Sequence, residues 1–509
     1  MTDNKRIAKN TLMLYIRMLL SVVVSFYTSR VVLEVLGVED YGLYGLVGGV
    51  VSMFSFLNST MAGATSRFLT FEMGRGNENR LKATFSSALI IHIGIALVVL
   101  LLSETLGQWF LNNKLVIPEG RMYAAHWLLQ LSILGMVVSF TQVPYNAAII
   151  AHEKMDVYAY VELLHVFLKL GIVYLLSIGN FDKLILYAFL VLIVNILVAF
   201  IYRIYCLKNY IETRFSFVWD KDIIAPMFVF SGWEALGHFG YTFRTQGVNF
   251  VLNMFFGVAL NAVTSIATTV QSTLNLFSSN VLVAIKPQIV KRYALGQNKE
   301  MLGLMMTGIR FNLLLQLMLS LPLILCMDYI LQLWLQNPPS DCAAFCRVML
   351  YSNILSAVSQ IIYTGIQTVG KLKQTSIIRN ILYIATPLLI YLAFICHDFP
   401  PIIAYVIIFS SQFFLAIIEI LIFSRMIGSF DVRTMFVLLF KTFAIVIVGI
   451  ALNGYILDSD LNKFVQLVSV TLCTEVFLFI AFYYFVLEDN EKNTINKFLN
   501  KLLNRIGKS

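Results

Sequence analysis

Residues 36–49 read LGVEDYGLYGLVGG. An apolar run enters this stretch and another leaves it, and between them stand Glu39 and Asp40, with glycines on either side. An acidic pair between two long apolar runs reads as a tight turn at a membrane surface, with span 1 before it and span 2 after it. Working outward, the composition agrees. The chain has 509 residues, 59% hydrophobic and 13% charged, against roughly 45–50% and about 25% in soluble proteins. So much apolar surface needs lipid as its solvent, which excludes a soluble enzyme and a nucleic-acid binder despite the net charge of +9. The leading MTDNKRIAKN is basic, but the apolar run after it carries Arg17 and has no small-residue cleavage site. It reads as an uncleaved first span.

With about 20 apolar residues needed per crossing, the chain divides into fourteen spans: 10–36, 43–71, 81–105, 121–150, 157–179, 183–207, 224–256, 258–287, 300–327, 343–369, 374–396, 400–424, 434–457 and 462–487. Basic residues test the count, because cytoplasmic loops carry the excess of Lys and Arg. With both termini inside, most of the 37 Lys and Arg fall in internal segments, and only Lys114, Arg121, Lys183 and Lys463 fall outside or at an outer edge. An extra or missing span would invert every later loop and destroy that asymmetry. The tail places Ile495, Phe498, Leu499, Leu502, Leu503 and Ile506 at helical spacing with lysines and arginines on other faces, as in a basic amphipathic helix on the cytoplasmic leaflet. Cys342 and Cys346 share a helical face but have no His or carboxylate beside them, and read as incidental helix residues.

The chain also repeats. At an offset of 220, Gly37-Val38 meets Gly257-Val258, Ser66-Arg67 meets Lys286-Pro287, and Gly76 meets Gly296; at 218, QVPYNAAIIAHEKM from Gln142 meets QIIYTGIQTVGKLK from Gln360. Pro118 and Pro338 lie in the two longest external loops between these matches. Six spans per repeat is an even number, so the halves are parallel repeats. The expected domains are an N-lobe at 1–210, a C-lobe at 211–427, two appended spans at 428–487, and the tail at 488–509.

At this point the residues acquire a resemblance. LGVEDYGLYGLVGGVVSMFSFLNSTMAGATSRF is similar to the N-terminal signature of Wzx-type polysaccharide flippases. These belong to the MOP exporter superfamily, which also holds the multidrug (MATE) exporters and the MurJ lipid II flippases. The resemblance implies an all-α integral membrane fold of two six-helix lobes in a V shape with two further helices. It also implies transport, by alternating access, of undecaprenyl-pyrophosphate-linked oligosaccharide across a bacterial inner membrane for O-antigen or capsule-type polysaccharide. The partners so implied are the lipid-linked substrate, membrane lipids and other polysaccharide-assembly proteins. No cofactor is expected, and coupling to H+, Na+ or the membrane potential is left open.

Ionisable residues inside a membrane are costly and mark candidate sites. Arg17 heads a polar stripe with Ser21, Ser25 and Thr28 along span 1. Arg244 lies near the middle of span 7, too deep to snorkel, with Glu234, His238, Tyr241 and Thr245 along another side. Span 8 carries Thr264, Thr268, Gln271, Asn275 and Ser279 at helical spacing. Two such stripes beside an Arg suit a water-filled cavity better than helix–helix glue. Arg310 lies a third of the way into span 9, while Arg67 and Arg379 sit near cytoplasmic ends, where snorkelling accounts for them. The expected pyrophosphate and sugar contacts are Arg17, Ser21, Ser25, Arg67, Arg244, Gln271, Asn275 and Arg310. The guanidinium keeps its charge when buried and presents a planar fork to phosphate oxygens. Glu234 with His238, and Glu162 with Lys169, are the candidates for ion coupling. Glu419 stands alone in span 12 without an assigned role. Two other functions remain in play: a drug or cation antiporter of the same fold, which calls for acidic residues in an aromatic cavity, and a membrane polysaccharide polymerase, which calls for a large external catalytic loop. No metal motif, nucleophile elbow or phosphate loop is present in the sequence.

Overall fold

The computed structural model describes residues 3–152, 154–176, 181–217, 220–370, 372–493 and 495–497. Residues 498–509 of the expected amphipathic tail lie outside them. Among the described residues there are helices and no strands. In order they are α1 (Asp3–Ser52), α2 (Ser55–Arg75), α3 (Glu78–Leu102), α4 (Gln108–Asn113), α5 (Met122–Ala151), α6 (Met155–Leu175), α7 (Lys183–Asn209), α8 (Lys221–Phe256), α9 (Val258–Ala294), α10 (Asn298–Leu325), α11 (Met327–Leu335), α12 (Cys342–Val369), α13 (Leu372–Cys396), α14 (Ile402–Met426), α15 (Val432–Leu457) and α16 (Lys463–Phe485). A π-turn at Ser103–Gly107 joins α3 to α4.

Gly37 interrupts α1 with φ 78° and ψ 171°, and α1 and α2 are separated only by a break at Met53–Phe54. The acidic turn is therefore tighter than the sequence suggests. Span 2 resumes as helix immediately after Gly37 rather than at residue 43. Gly257, between α8 and α9, has nearly the same backbone, with φ 75° and ψ −174°. That corner of conformational space is open essentially to glycine alone. Gly76 and Gly296 likewise share a left-handed φ, 69° and 73°. The offset read from weak sequence matches thus reappears as matched backbone geometry. Helix boundaries follow it too: α2 ends at Arg75 and α9 at Ala294, and α3 begins at Glu78 and α10 at Asn298.

Among the described residues, eleven helical stretches are long and apolar enough to cross a membrane. Among the same residues, the long helices without such a stretch are α2, α8 and α9. Two of those, α8 and α9, carry the polar stripes. The protein is a multi-pass membrane protein.

The chain packs as two compact units, Met1–Ser265 with Tyr383–Pro401, and Ile266–Leu382 with Ile402–Ser509. The change of unit falls within α9 and again within α13, so the packing units do not coincide with the lobe limits expected from the repeat, which stay a proposal.

In the first unit the glycines of the opening motif have a structural role. A Cβ on Gly42 would lie 2.0 Å from the carbonyl oxygen of Val258, and one on Gly45 would lie 2.4 Å from Ser265 Oγ. The second half of α1 therefore seats its backbone directly on the start of α9. Three buried asparagines close the same corner. Asn253 bonds both backbone groups of Val116 and the side chain of Asn261, and Asn261 bonds Asn249. At that end of the first unit, Arg121 binds Asp40 through Nε and Nη2, at 2.8 and 2.5 Å, and Asp182 through Nη1 at 2.5 Å. Asp182 also caps α7 by accepting from Leu184 and Ile185 N–H. At the other end, His152 meets Glu212 at 2.5 Å and Asn77 caps α3. The sequence placed residues 40, 121 and 182 on one side and 152 and 212 on the other, and the helices bring each set together.

The second unit is built around Met305, Ile309, Leu313, Leu317, Ile361 and Phe423, all fully buried. Its α9, α10 and α12 are joined by a buried polar chain. Ser278 donates to Asn312, Gln316 to Ser278 and to the Leu274 carbonyl, and Asn353 to Gln316. Interhelical hydrogen bonds of this kind act as glue where lipid provides no hydrophobic drive.

Candidate functional site

Arg244 is the centre of the site. It projects from the middle of α8 and is 8% exposed. Its guanidinium carbon lies 4.4 Å from the ring centre of Tyr383 on α13 and 5.3 Å from that of Tyr241, one turn earlier on α8. The two rings meet edge to face at 6.0 Å. Both tyrosines and Arg244 belong to the first unit. Cation–π contacts occupy the face of a guanidinium, while hydrogen bonds to an oxyanion form along its edge. The helix is held on both sides. Gly247 admits Pro387 of α13, which a Cβ would meet at 3.1 Å, and Phe239 packs edge-on against Phe56 of α2 at 5.5 Å. Farther along, Phe255 contacts Tyr391 and Phe394, so α13 from Tyr383 onward is zipped to α8 by aromatic rings.

The other expected residues distribute unevenly. The Arg17 side chain and that of Glu234 lie outside the described residues. Ser21 is half-buried, Ser25 exposed, and Arg67 exposed on α2. Thr28, on the same stripe as Ser21, buries its Oγ1 without a hydrogen-bond partner among the described residues, as a polar face looking for water would. His238 is exposed, whereas Thr245 donates back to the Tyr241 carbonyl at 2.7 Å. In the second unit, Gln271 and Asn275 are half-buried on α9, and Asn275 Oδ1 is buried without a partner among the described residues.

Three arginine and acid assignments change. Arg310 was expected to contact substrate. Its guanidinium is instead 5% exposed, with Nη1 on Glu491 at 2.8 Å and Nη2 on Glu488. Two carboxylates just after α16 meet that charge, so the second unit uses Arg310 to dock its C-terminal segment. Arg379 does not snorkel. It pairs at 3.0 Å with Glu419, which is fully buried and also accepts from Ser359, and it lies 3.9 Å from the centre of the Tyr363 ring. Glu419, unassigned in the sequence, is thus the counter-ion of Arg379. Glu162 and His165 face α7, where Tyr202 donates to Glu162 at 3.2 Å and His165 meets Asn195 at 3.2 Å. Lys169 is half-buried farther along the same helix. Asn195 also lines a cleft of about 250 Å³ with Tyr44, Ser52, Ser55 and Ser132.

Tyr383 and Tyr363 escaped the sequence reading. A tyrosine in an apolar span looks like any other large side chain, and nothing in the sequence pairs Tyr383 with Arg244, more than a hundred residues earlier, or Tyr363 with Arg379 on the next helix.

Residues 14–175 match the MatE family model. Among solved structures, the chain superposes on the lipid II flippase MurJ in an inward closed conformation with a TM-score of 0.69 and 13% identity, covering 94% of this chain and 99% of that one. The fold is of the MurJ and MATE type. An inward-facing multidrug resistance MATE family transporter of the MOP superfamily gives a TM-score of 0.67 at 11% identity, over 82% of this chain and 96% of the other. The uncharacterized membrane protein EpsK of Bacillus subtilis (strain 168) is 21% identical over 308 residues, 60% of each chain. The chain therefore spans less than two thirds of that curated relative. The all-helical, multi-span architecture expected from the sequence is the one observed.

Proposed function

We propose that the protein is a flippase that moves undecaprenyl-pyrophosphate-linked oligosaccharide from the cytoplasmic to the outer leaflet of a bacterial inner membrane by alternating access, for assembly of cell-surface polysaccharide. The observation that carries this reading is Arg244: a guanidinium buried near the middle of α8 and held by two tyrosine rings. A permanent cation at that depth is costly and marks a functional candidate. The planar fork of Arg matches pyrophosphate oxygens. A headgroup with about two negative charges, leaving an inside-negative cell, gains roughly 2.3 kcal/mol per charge per 100 mV, so the loaded step runs with the field. The return of an empty, cationic site to the negative side also runs with the field; Glu234 and His238 remain the candidate proton carriers for any further coupling. The polyprenyl chain stays in lipid throughout.

The same fold serves multidrug transporters, and a cationic drug would be repelled by Arg244. The experiment that separates the two is a complemented strain carrying Arg244→Ala as its only copy. Surface glycan is lost while the protein remains inserted and at normal abundance. Normal glycan display would remove Arg244 from the function, and wild-type efflux of cationic dyes would favour the antiporter.

A further inference from the structure

We propose that Tyr383 is a positioning residue: its ring fixes the Arg244 guanidinium in the orientation that receives the anionic headgroup, and so sets substrate affinity. This rests on the reading of Arg244 as the headgroup contact.

The geometry gives Tyr383 this role and not a general packing role. Its ring centre stands 4.4 Å from the guanidinium carbon, nearer than that of Tyr241 at 5.3 Å. Tyr241 precedes Arg244 by one helical turn, so those two move together with α8. Tyr383 comes from a different helix and is itself 5% exposed. It therefore holds Arg244 against a second helix. A long, unbranched side chain in a membrane has several rotamers of similar energy, and a planar cation needs a fixed plane to meet two phosphates at once. A ring against the guanidinium face supplies that plane and leaves recognition to its edge.

The seat of Tyr383 is also specified. Pro387, four residues on, sits against Gly247, where a Cβ would lie at 3.1 Å, and Tyr391 and Phe394 continue the contact onto Phe255. Four positions on α13, at helical spacing, thus hold one face against α8, and Tyr383 is the first of them. It is also the first residue of α13 that packs with the first unit, residues up to Leu382 packing with the second. The second unit has an Arg–Tyr contact of the same kind, Arg379 at 3.9 Å from Tyr363, but there Glu419 is bound to the guanidinium. That arginine is bound to a carboxylate of its own unit, as a structural ion pair.

The test is a set of full-length variants in proteoliposomes supplied with fluorescently labelled undecaprenyl-pyrophosphate glycan, with translocation rate measured against substrate density. Tyr383→Leu raises the half-saturating density roughly tenfold, the scale of one desolvated cation–π contact, and leaves the maximal rate within about a factor of two. Tyr383→Phe, which keeps the ring, stays within about twofold of wild type on both. In a background of Arg244→Lys, Tyr383→Leu has a much smaller effect, because the two residues act as one pair. An unchanged half-saturating density in Tyr383→Leu would overturn the proposal, as would a Tyr383→Phe protein as impaired as Tyr383→Leu. If Arg244→Lys and Arg244→Ala both match wild type, the reading of Arg244 fails and takes this proposal with it. If Arg244→Ala is inactive while Tyr383→Leu is normal, only the role of Tyr383 fails.

Discussion

Three arginines within the spans show how differently the same side chain is used. Arg310 is met by Glu488 and Glu491, Arg379 by Glu419, and Arg244 by the rings of Tyr241 and Tyr383. Removing one partner of a buried ion pair leaves a charge in a low-dielectric interior, at a cost of about 3–5 kcal/mol. Glu419→Ala is therefore expected to lower the thermal unfolding temperature of the detergent-solubilised protein markedly, and Arg379→Met in the same chain to recover most of the loss. A double variant no more stable than Glu419→Ala would show that the pair is not what stabilises α12, α13 and α14. Depth alone made Arg244 legible in the sequence, because an Arg in the middle of an apolar span has nowhere to snorkel. Arg310, a shallower candidate a third of the way into its span, is met by two carboxylates that follow the last span, and no local spacing in the sequence connects them.

Single elements carry the next level. The turn at Gly37 works because its backbone suits only glycine, and the helix after it works because Gly42 and Gly45 let α1 touch α9. Replacing Gly42 with Leu drives a side chain into the Val258 carbonyl. Overpacking of this kind costs about 1–3 kcal/mol, and backbone is the least yielding neighbour. Lower yield and a lower unfolding temperature are the expected outcome, whereas a similar change at Gly48, which has open space around its Cβ position, should be tolerated. Equal tolerance at both would contradict the close approach. The acidic pair of the opening motif divides likewise. Asp40 joins Arg121, and Arg121 in turn binds Asp182. Burial pushes the Asp182 carboxyl upward, but hydrogen bonds from Arg121 and from the Ile185 and Leu184 amides, with the Arg121 charge, outweigh it and hold its pKa below the ordinary value of 3.8. A carboxylate depressed in the folded state contributes stability that is complete above the ordinary carboxylate range and fades as pH falls through the depressed value. Unfolding temperature should therefore fall below about pH 4, and Asp182→Asn should flatten that fall while lowering stability at pH 7. An acid limb of the same steepness in the variant would rule the clamp out as its origin.

Over the whole molecule, the sequence carried the architecture well, while the roles of the site residues stand as proposals. The all-helical, multi-span architecture and the 220-residue offset were readable because membrane helices announce themselves by length and because glycine turns are forced by backbone geometry; Gly37 and Gly257, alike in φ and ψ, are the structural form of that repeat. The packing units were not readable, because the change of unit falls inside α9 and α13, where hydropathy is continuous. For the same reason the sequence could flag Arg244 but not Tyr383, which reaches it from another helix. The polar stripes had mixed outcomes. Thr245 and Thr264 satisfy their hydroxyls on their own helices, and Ser278, Asn312, Gln316 and Asn353 form glue within the second unit. Asn275 keeps an unpartnered oxygen among the described residues, so an Asn275→Leu protein should stay folded, as judged by an unchanged unfolding temperature, yet translocate glycan more slowly if α9 serves the cargo.

The central claim is that a buried arginine on α8 carries an anionic lipid headgroup across the membrane. It is tested most directly by proteoliposomes holding undecaprenyl-pyrophosphate glycan in one leaflet and assayed for its arrival in the other, with wild type and Arg244→Ala compared at equal, correctly inserted amounts. Translocation by the wild type, inhibited by excess undecaprenyl pyrophosphate and absent in Arg244→Ala, is the predicted result. No translocation by the wild type, or an undiminished rate in Arg244→Ala, would contradict the account.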